Sequence, residues 1–338
     1  MALAGIAAVL AAGELVVRTF LESPSVAVPV ARLEWAYPPH VRIVHSSEGY
    51  SVRRTNSQGM FDDEPRATPP ARSVLLLGDS YAEALQVPAG RAFADVAERA
   101  LPGTEIVNAG VSGHSPLDHA EWLETVGDSL RPDVIVIEFS DANLDLMLTP
   151  AALRRFASPP APGVLGTPPA ESGLRRGLRE VLRRSALATL TWHRLKLLGA
   201  EQKSALSRRF NATGASAHAR PQAAAVVDPR LPALLDSLHT RIARHAPHVI
   251  YLYIPHLDYF APGQPESDPA LTRVVAELCA RRGAAFLDAA GAMRSEFRRT
   301  GQPVHGFANS VVGSGHINAA GHRVVGEALA RTIAEVAP

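Results

Sequence analysis

The chain has 338 residues, of which 46% are hydrophobic and 20% charged, a mixture that can bury a substantial core in one large domain or two ordinary ones. Its 34 Lys and Arg residues balance 33 Asp and Glu residues, which argues against a general attraction for nucleic acid or for anionic membrane surfaces. The single cysteine, Cys279, excludes an internal disulfide and a cysteine-based metal cluster.

The chain starts with an uncharged apolar stretch, MALAGIAAVLAAG, over residues 1–13. This stretch has the length of a signal-peptide core, although no basic residue precedes it. Extended to Leu21 it reaches a membrane-spanning length, provided that Glu14 and Arg18, one helical turn apart, pair with each other. We expect residues 1–21 to be an export signal or membrane anchor, so that the protein is membrane-anchored or exported to the periplasm. The alternative is an amphipathic helix packed on the domain.

A change of pattern at residue 73 marks the start of the predicted domain, 73–338. Residues 22–72 contain many prolines and no sustained period, which predicts an extended lead-in. From residue 73, buried apolar runs alternate with helical patterns, as is typical of a parallel sheet with helices on both faces. The predicted strands are Ser73–Leu77, Glu105–Asn108, Asp133–Phe139, His248–Ile254 and Ala284–Asp288, and the predicted helices include Pro116–Leu130, Pro269–Arg282 and Ala319–Val336.

Residues 150–228 interrupt this alternation and are predicted to be an insertion into the same domain. They open with a Pro/Ala/Gly-rich segment, SPPAPGVLGTPPAESG, followed by the basic helical stretch LRRGLREVLRRSALATLTWHRLKLL. An apolar stripe within that stretch is formed by Leu174, Leu178, Val181 and Leu182. We expect the stripe to pack on the domain, or to lie against lipid headgroups if residues 1–21 are an anchor.

The first predicted strand ends in Gly78-Asp79-Ser80, which is either a plain turn or the position of a reactive serine. A serine attacks an acyl carbon only if a base takes its proton and hydrogen-bond donors hold the developing oxyanion. Candidates follow the other strands: Gly113 in the NAGVSG loop, Asn143 after the third strand, and His316 in the glycine-rich loop before the last helix. Each is weak alone, because glycine loops are often turns and Asn143 is also a suitable helix cap.

Together and in this order, the blocks GDS, NAGVSG, Asn143 and His316 resemble those of the SGNH hydrolases, also called the GDSL family of esterases and lipases. The stretches TNSQGMFDDE, AEALQVPAG and RPDVIVIEF look like a bacterial subgroup with an amino-terminal hydrophobic helix, so the resemblance covers about residues 50–145 and 245–336. It implies a three-layer α/β/α sandwich with a parallel, flavodoxin-like sheet. It also implies hydrolysis or transfer of ester-linked acyl groups, with no metal or organic cofactor.

The resemblance also implies roles for individual residues. Ser80 is the expected nucleophile and His316 the general base and then acid. The N–H groups of Ser80 and Gly113 and the amide of Asn143 form the expected oxyanion hole, and Asp79 supports the nucleophile loop. The expected substrate is an acylated small molecule, glycan or lipid, and no nucleic-acid partner is expected.

The chain departs from the family pattern beside two of these residues. The family places an aspartate three residues before the histidine, where it orients the imidazole, but this chain has Gly313. The family asparagine is normally followed by aspartate, and here by Leu144.

Three explanations of the missing aspartate compete. A Ser80–His316 dyad suffices, with His316 oriented by a backbone carbonyl or by Ser314. Another carboxylate substitutes, and Asp258 in IPHLDYF is the first candidate. Or the protein is a catalytically weak or inactive SGNH-fold binding or assembly module.

The other histidines are not spaced as metal ligands. His114 and His119 are five residues apart, and neither they nor His322 have cysteine or carboxylate partners at the spacing of a metal site. His256 is expected to line the pocket or cap a loop.

Overall fold

An exposed helix opens the protein in the computed structural model, which describes residues 2–24, 28–30, 33–126, 131–157, 184–195, 228–259 and 269–338. Helix α1 covers Ala2–Val16 and continues as a wider, π-helical turn over Val17–Leu21. These 20 residues are apolar and long enough to cross a membrane. Glu14 and Arg18 pair at 2.8 Å, which is the condition that the sequence analysis set for a spanning length. No residue of α1 is buried, whereas Val17 in the following turn is buried and the backbone oxygens of Thr19 and Phe20 accept hydrogen bonds from Arg42 and Tyr50.

The lead-in contains two antiparallel hairpins. Strand β1 (Val28–Val30) pairs with β2 (Leu33–Ala36), and β3 (Arg42–His45) pairs with β4 (Ser51–Arg54). The second hairpin packs on the domain, since the buried guanidinium of Arg53 donates to the backbone oxygens of Ala84 and Phe61. The sequence did not predict these strands, because none exceeds four residues, and β1 contains a proline.

The centre of the domain is a five-stranded parallel sheet. Its strands are β5 (Arg72–Leu77), β6 (Thr104–Asn108), β7 (Val134–Phe139), β8 (His248–Tyr253) and β9 (Ala285–Asp288). Their order is β6-β5-β7-β8-β9, and every neighbouring pair is parallel, which is the flavodoxin-like arrangement. All five predicted strands are confirmed to within one residue at each end. All six residues of the central strand β7 are buried, which explains its unbroken apolar run.

Helices cover both faces of this sheet and complete a three-layer α/β/α sandwich. In chain order they are α2 (Ser80–Glu83), α3 (Phe93–Ala100), α4 (Pro116–Val126), α5 (Asp141–Met147), α6 (Pro150–Ala157), α7 (186–195), α8 (Leu231–Ile242), α9 (Pro269–Arg282), α10 (Ala290–Thr300) and α11 (Ala319–Val336). Val74 and Leu76 face the core beneath α3, α10 and α11. Leu75 and Leu77 face the core beneath α4, α8 and α9. The expected fold class is therefore confirmed.

Most of the predicted insertion lies outside the described residues. Of residues 150–228, the structure describes 150–157, 184–195 and 228. The apolar stripe of Leu174, Leu178, Val181 and Leu182 lies outside this part, as do residues 127–130 of the predicted helix Pro116–Leu130. The boundaries of the insertion and of the domain stay predictions.

The close crossing of α3 and α11 generates a stability prediction. A Cβ on Gly326 would lie 2.6 Å from the backbone oxygen of Phe93 and 2.6 Å from the Cβ of Val96. We expect Gly326→Ala to lower the free energy of unfolding, measured by urea denaturation, by about 1–3 kcal/mol, because the helices must move apart.

Gly291 in α10 is the matched control, because a Cβ there meets nothing within 4 Å. There the better helix propensity of alanine acts alone, so Gly291→Ala should leave stability unchanged or raise it by up to about 1 kcal/mol. Equal stability of Gly326→Ala and the wild type would contradict the close crossing.

Candidate active site

Ser80 lies at the carboxyl end of β5, where the strand turns sharply into α2. Asp79 caps α2, its carboxylate accepting a hydrogen bond from the Tyr81 N–H at 2.8 Å. Gly78 is required at the turn, because a Cβ there would lie 2.4 Å from Oε2 of Glu138 on β7. Ser80 is the first residue of α2, and the N–H groups at a helix start have no partner within the helix. The turn thus presents both a hydroxyl and a backbone donor at the sheet edge.

His316 lies beside Ser80 although 236 residues separate them in sequence. The distance from its Nε2 to Ser80 Oγ is 2.9 Å. Asn318 fixes the loop that carries His316, since its amide donates to Pro303 O at 2.9 Å and its oxygen caps α11. The hydroxyl is therefore within hydrogen-bonding reach of a base, the geometry that activates a serine.

The carboxylate that orients His316 is Glu48, in the loop between β3 and β4. Its Oε2 lies 2.6 Å from His316 Nδ1, and its Oε1 accepts the backbone N–H of His316 at 3.0 Å. Asp258, the carboxylate expected from the sequence, is exposed on the loop after β8 and does not occupy this position. The sequence analysis missed Glu48, because 268 residues separate it from His316 and no motif spacing connects them.

Glycines in the His316 loop make room for Glu48. Gly315 has φ +82°, and a Cβ there would lie 2.2 Å from Glu48 Oε1. Gly313, at the position of the family aspartate, has φ +87°, and its N–H donates to His305 O at 2.9 Å. Both positions use the left-handed region that favours glycine. A carboxylate from a distant segment thus reaches the histidine where the local one is missing.

The electrostatics of the pair favour a charged carboxylate beside an imidazole that is readily protonated. Burial lowers the pKa of His316, but the hydrogen bond and charge of Glu48, with the charges of Asp79 and Glu83, outweigh it and raise that pKa. Burial raises the pKa of Glu48, but its hydrogen bonds to His316 outweigh it and lower that pKa. Glu48 is therefore ionised at neutral pH, and His316 can accept a proton from Ser80.

Gly113 and Asn143 lie on either side of the Ser80 strand. The loop after β6 carries Gly113 at φ +82°, and Asn143 lies in the first turn of α5 after β7. The Asn143 oxygen accepts the Ser140 N–H at 2.6 Å, and its Nδ2 donates to His114 O at 3.0 Å. Asn143 therefore caps α5, as the alternative proposed, and also holds the Gly113 loop.

A buried carboxyl group, Glu138 on β7, supports the nucleophile turn from below. Its Oε2 accepts the Asp79 N–H at 2.9 Å. Burial raises its pKa well above the usual range, and the charge of Asp79 raises it further. Its surroundings therefore favour the protonated form of the Glu138 carboxyl. No sequence pattern pointed to Glu138, because it belongs to an apolar strand and not to one of the loops that follow the strands.

Three further histidines, His305, His256 and His322, have structural contacts. His305 is buried with its Nδ1 2.6 Å from the Tyr259 hydroxyl, and burial lowers its pKa to about 3. His256 is exposed and contacts the His305 ring. His322 accepts the Phe93 N–H at 3.2 Å. Among the described residues, no group of three His, Cys, Asp or Glu side chains is arranged to hold a metal ion.

The chain is similar to one protein family and to several solved structures. The model of the GDSL-like Lipase/Acylhydrolase family matches residues 76–324, a range that includes Ser80 and His316 but begins after Glu48. No curated protein is a significant match.

Two solved structures illustrate the similarity. A member of the lipolytic protein G-D-S-L family from Veillonella parvula DSM 2008 is 14% identical, with a TM-score of 0.43 over 79% of this chain and 98% of that one. A catalytic mutant of an acetylxylan esterase from Geobacillus stearothermophilus is 15% identical, with a TM-score of 0.43 over 79% of this chain and 96% of that one.

The contact between Glu48 and His316 generates a prediction about the histidine alone. We expect the pKa of His316, followed by NMR of labelled histidine, to lie above the ordinary value of about 6.5. In the Glu48→Gln variant the pKa of His316 should fall, because the imidazolium is then buried with no carboxylate charge at position 48 to stabilise it.

The control is Glu64→Gln, since Glu64 is exposed and pairs with His40 at 3.6 Å. That change should leave the His316 titration as it is. A His316 pKa that is the same with Glu48 or Gln at position 48 rules out the ion pair.

Proposed function

Because the chain belongs to the GDSL-like lipase/acylhydrolase family and is an esterase of the SGNH type, we propose that it cleaves or transfers ester-linked acyl groups through Ser80, His316 and Glu48. One observation carries the proposal. A continuous line of hydrogen bonds runs from Ser80 Oγ to His316 Nε2 at 2.9 Å and from His316 Nδ1 to Glu48 at 2.6 Å. This is the arrangement of nucleophile, base and orienting carboxylate.

In the first half of the proposed reaction, Ser80 Oγ attacks the carbonyl carbon of the ester while His316 Nε2 takes the hydroxyl proton. Glu48 accepts the hydrogen bond from Nδ1–H, which fixes the tautomer with Nε2 free and stabilises the imidazolium. The tetrahedral intermediate collapses as the ester C–O bond breaks, and His316 gives its proton to the leaving alcohol. The product is an acyl group on Ser80.

In the second half, His316 removes a proton from water, and the resulting nucleophile attacks the acyl carbon. The bond to Ser80 Oγ then breaks, and His316 returns the proton to Ser80, which restores the enzyme. Transfer differs only in that an alcohol of an acceptor takes the place of water. Both outcomes use the same three side chains, so the triad favours neither.

The oxyanion in both halves is proposed to bind at the N–H of Ser80, the N–H of Gly113 and the Nδ2 of Asn143. The contact between Asn143 Nδ2 and His114 O supports this, because it holds the amide next to the Gly113 loop. A single donor in such a hole contributes on the order of 10²–10³ in turnover. Asp79 and Glu138 are proposed to hold the nucleophile turn without touching substrate.

The rival hypothesis is an inactive SGNH-fold binding or assembly module. It depended on Gly313, which leaves the histidine without the family's aspartate. Glu48 weakens that argument, because its carboxylate reaches the same imidazole from another segment. The candidate substrates are acylated small molecules, glycans and lipids, and a series of p-nitrophenyl esters of increasing acyl length would distinguish small acyl groups from long ones.

The nucleophile is tested with a fluorophosphonate probe, which reacts covalently with an activated serine. We expect the wild type to be labelled and Ser80→Ala not to be labelled, because among the described residues the hydroxyl that hydrogen-bonds His316 Nε2 is that of Ser80. Ser310→Ala is a control, since that side chain lies outside the triad and bonds the Phe307 backbone. Labelling that persists in Ser80→Ala would overturn the assignment.

We further propose that α1 anchors the protein to a membrane and that the domain lies on the extracytoplasmic side. The uncharged part before Glu14 extends about 18 Å and is the part available to enter a hydrocarbon core of about 30 Å, because Glu14 and Arg18 contact residues 184–187. The apolar side chains of α1, among them Leu3, Ile6 and Val9, are exposed, and a lipid bilayer would remove them from water.

Cell fractionation tests the anchor. We expect the full-length protein in the membrane fraction and a shortened form that begins at Ser23 in the soluble fraction. Reporter fusions at the carboxyl terminus then report the side of the membrane. Equal distribution of the two forms would contradict the anchor.

A further inference from the structure

The loop that carries Glu48 is fastened by Asn309, a side chain outside the triad. Asn309 accepts the Gly49 N–H at 2.8 Å and donates to the backbone oxygens of Ser46 at 3.0 Å and Gly49 at 2.8 Å. Gly49 has φ +71°, and a Cβ there would lie 2.2 Å from Gln86 O. The residues on both sides of Glu48 are therefore held by one amide.

A second fastening comes from Arg194 on α7. Its Nη1 donates to Asn309 O at 3.0 Å, and its Nη2 donates to Ser46 O at 3.0 Å. The planar guanidinium thus joins the Glu48 loop to the Asn309 loop, and a lysine has a single donor centre that cannot reproduce the fork. Arg194 is partly buried, so these contacts are shielded from water on one side.

Helix α7 is in turn held at its amino end by α1. The Glu14 carboxylate accepts hydrogen bonds from Ser185 Oγ at 2.8 Å, Ala186 N at 2.8 Å and Leu187 N at 3.0 Å. Arg18 donates to Arg184 O at 2.6 Å and pairs with Glu14. A carboxylate at this end satisfies unpaired N–H groups and complements the helix dipole.

We propose that Arg194 and Asn309 are positioning residues for Glu48. We also propose that α7 links the apolar amino-terminal helix to Glu48, the carboxylate of the triad. The inference rests on the proposed function. A triad carboxylate must be held within a few tenths of an ångström, yet Glu48 lies in an irregular loop. Arg194 on α7 binds that loop, and Glu14 on α1 binds the amino end of α7. The predicted insertion thereby has a role, since α7 lies within it.

The test measures kcat, KM and the pH profile of kcat/KM for the full-length protein in detergent. The variants are Arg194→Met and Arg194→Lys, with Arg331→Met as the control on the exposed face of α11. Active sites are counted by end-point fluorophosphonate labelling, so that loss of folded protein is not read as loss of turnover. Glu48→Gln is the reference, for which we expect a loss on the order of 10⁴-fold in kcat.

For Arg194→Met we expect a ten- to hundredfold loss of kcat per labelled site, because a small displacement of a catalytic group has an effect of about this size. KM should not change, since Arg194 is placed away from the substrate. The ascending limb of kcat/KM should move to lower pH, because His316 loses part of the Glu48 charge while Asp79, Glu83 and His305 stay as neighbours. Arg194→Lys should be intermediate, and Glu14→Ala should shift the limb in the same direction by less.

The outcomes separate this inference from the proposed function. Suppose that Glu48→Gln shifts the ascending limb of the kcat/KM pH profile, while Arg194→Met has the same limb and the same kcat as the wild type. Arg194 then does not position Glu48. A lower kcat with an unshifted limb would show a merely structural role and also overturn the inference. If Glu14→Ala alone has no effect, the link to α1 is wrong and the role of Arg194 stands. If Ser80→Ala still turns over ester, the proposed function itself fails.

Discussion

The contact between Glu48 and His316 is the interaction on which the site depends. It joins two segments that are 268 residues apart, and it makes two hydrogen bonds, one to the imidazole and one to the backbone of the same residue. The Glu48 side chain is only 16% exposed, and a carboxylate removed from water to this degree is stable only with such partners. Because the hydrogen bond to Glu48 fixes the orientation of the imidazole at Nδ1, Nε2 on the other side of the ring points to Ser80 Oγ.

The sheet supplies the other half of the arrangement. The strand order places β5 between β6 and β7, so the turn with Ser80 lies between the loops with Gly113 and Asn143. The carboxyl ends of parallel strands share one edge, where α/β sheets bind their ligands. Contacts between these loops, such as that of Asn143 with His114 O, then fix their spacing. Ser80, Gly113 and Asn143 are therefore positioned by the ends of regular strands, whereas Glu48 is positioned by irregular loops.

The irregular loops depend on segments that flank the family domain or interrupt it. Glu48 precedes the range that the family model matches, and α7 lies in the predicted insertion. Asn309 and Arg194 fasten the Glu48 loop, and Glu14 fastens α7. This family member has Gly313 in place of the aspartate near its histidine. Its Glu48 carboxylate, from a segment that precedes the matched range, contacts the histidine. The two unusual features of this chain, its missing aspartate and its added segments, meet at one loop.

The sequence by itself determined the parallel sheet, its five strands, and the identity of Ser80, Gly113, Asn143 and His316 as candidates. These follow from local patterns: buried strands are continuous apolar runs, and the family's blocks directly follow them. Only the tertiary structure decided which carboxylate faces His316, and it chose Glu48 rather than Asp258. It alone revealed the hairpins of the lead-in, Glu138 beneath the nucleophile turn, and Arg194 on its loop. The hairpins escaped the sequence because their strands have at most four residues, too few to show a period. The other contacts are made by single side chains between segments remote in sequence, and no local period records which distant partner the folded chain brings within 3 Å.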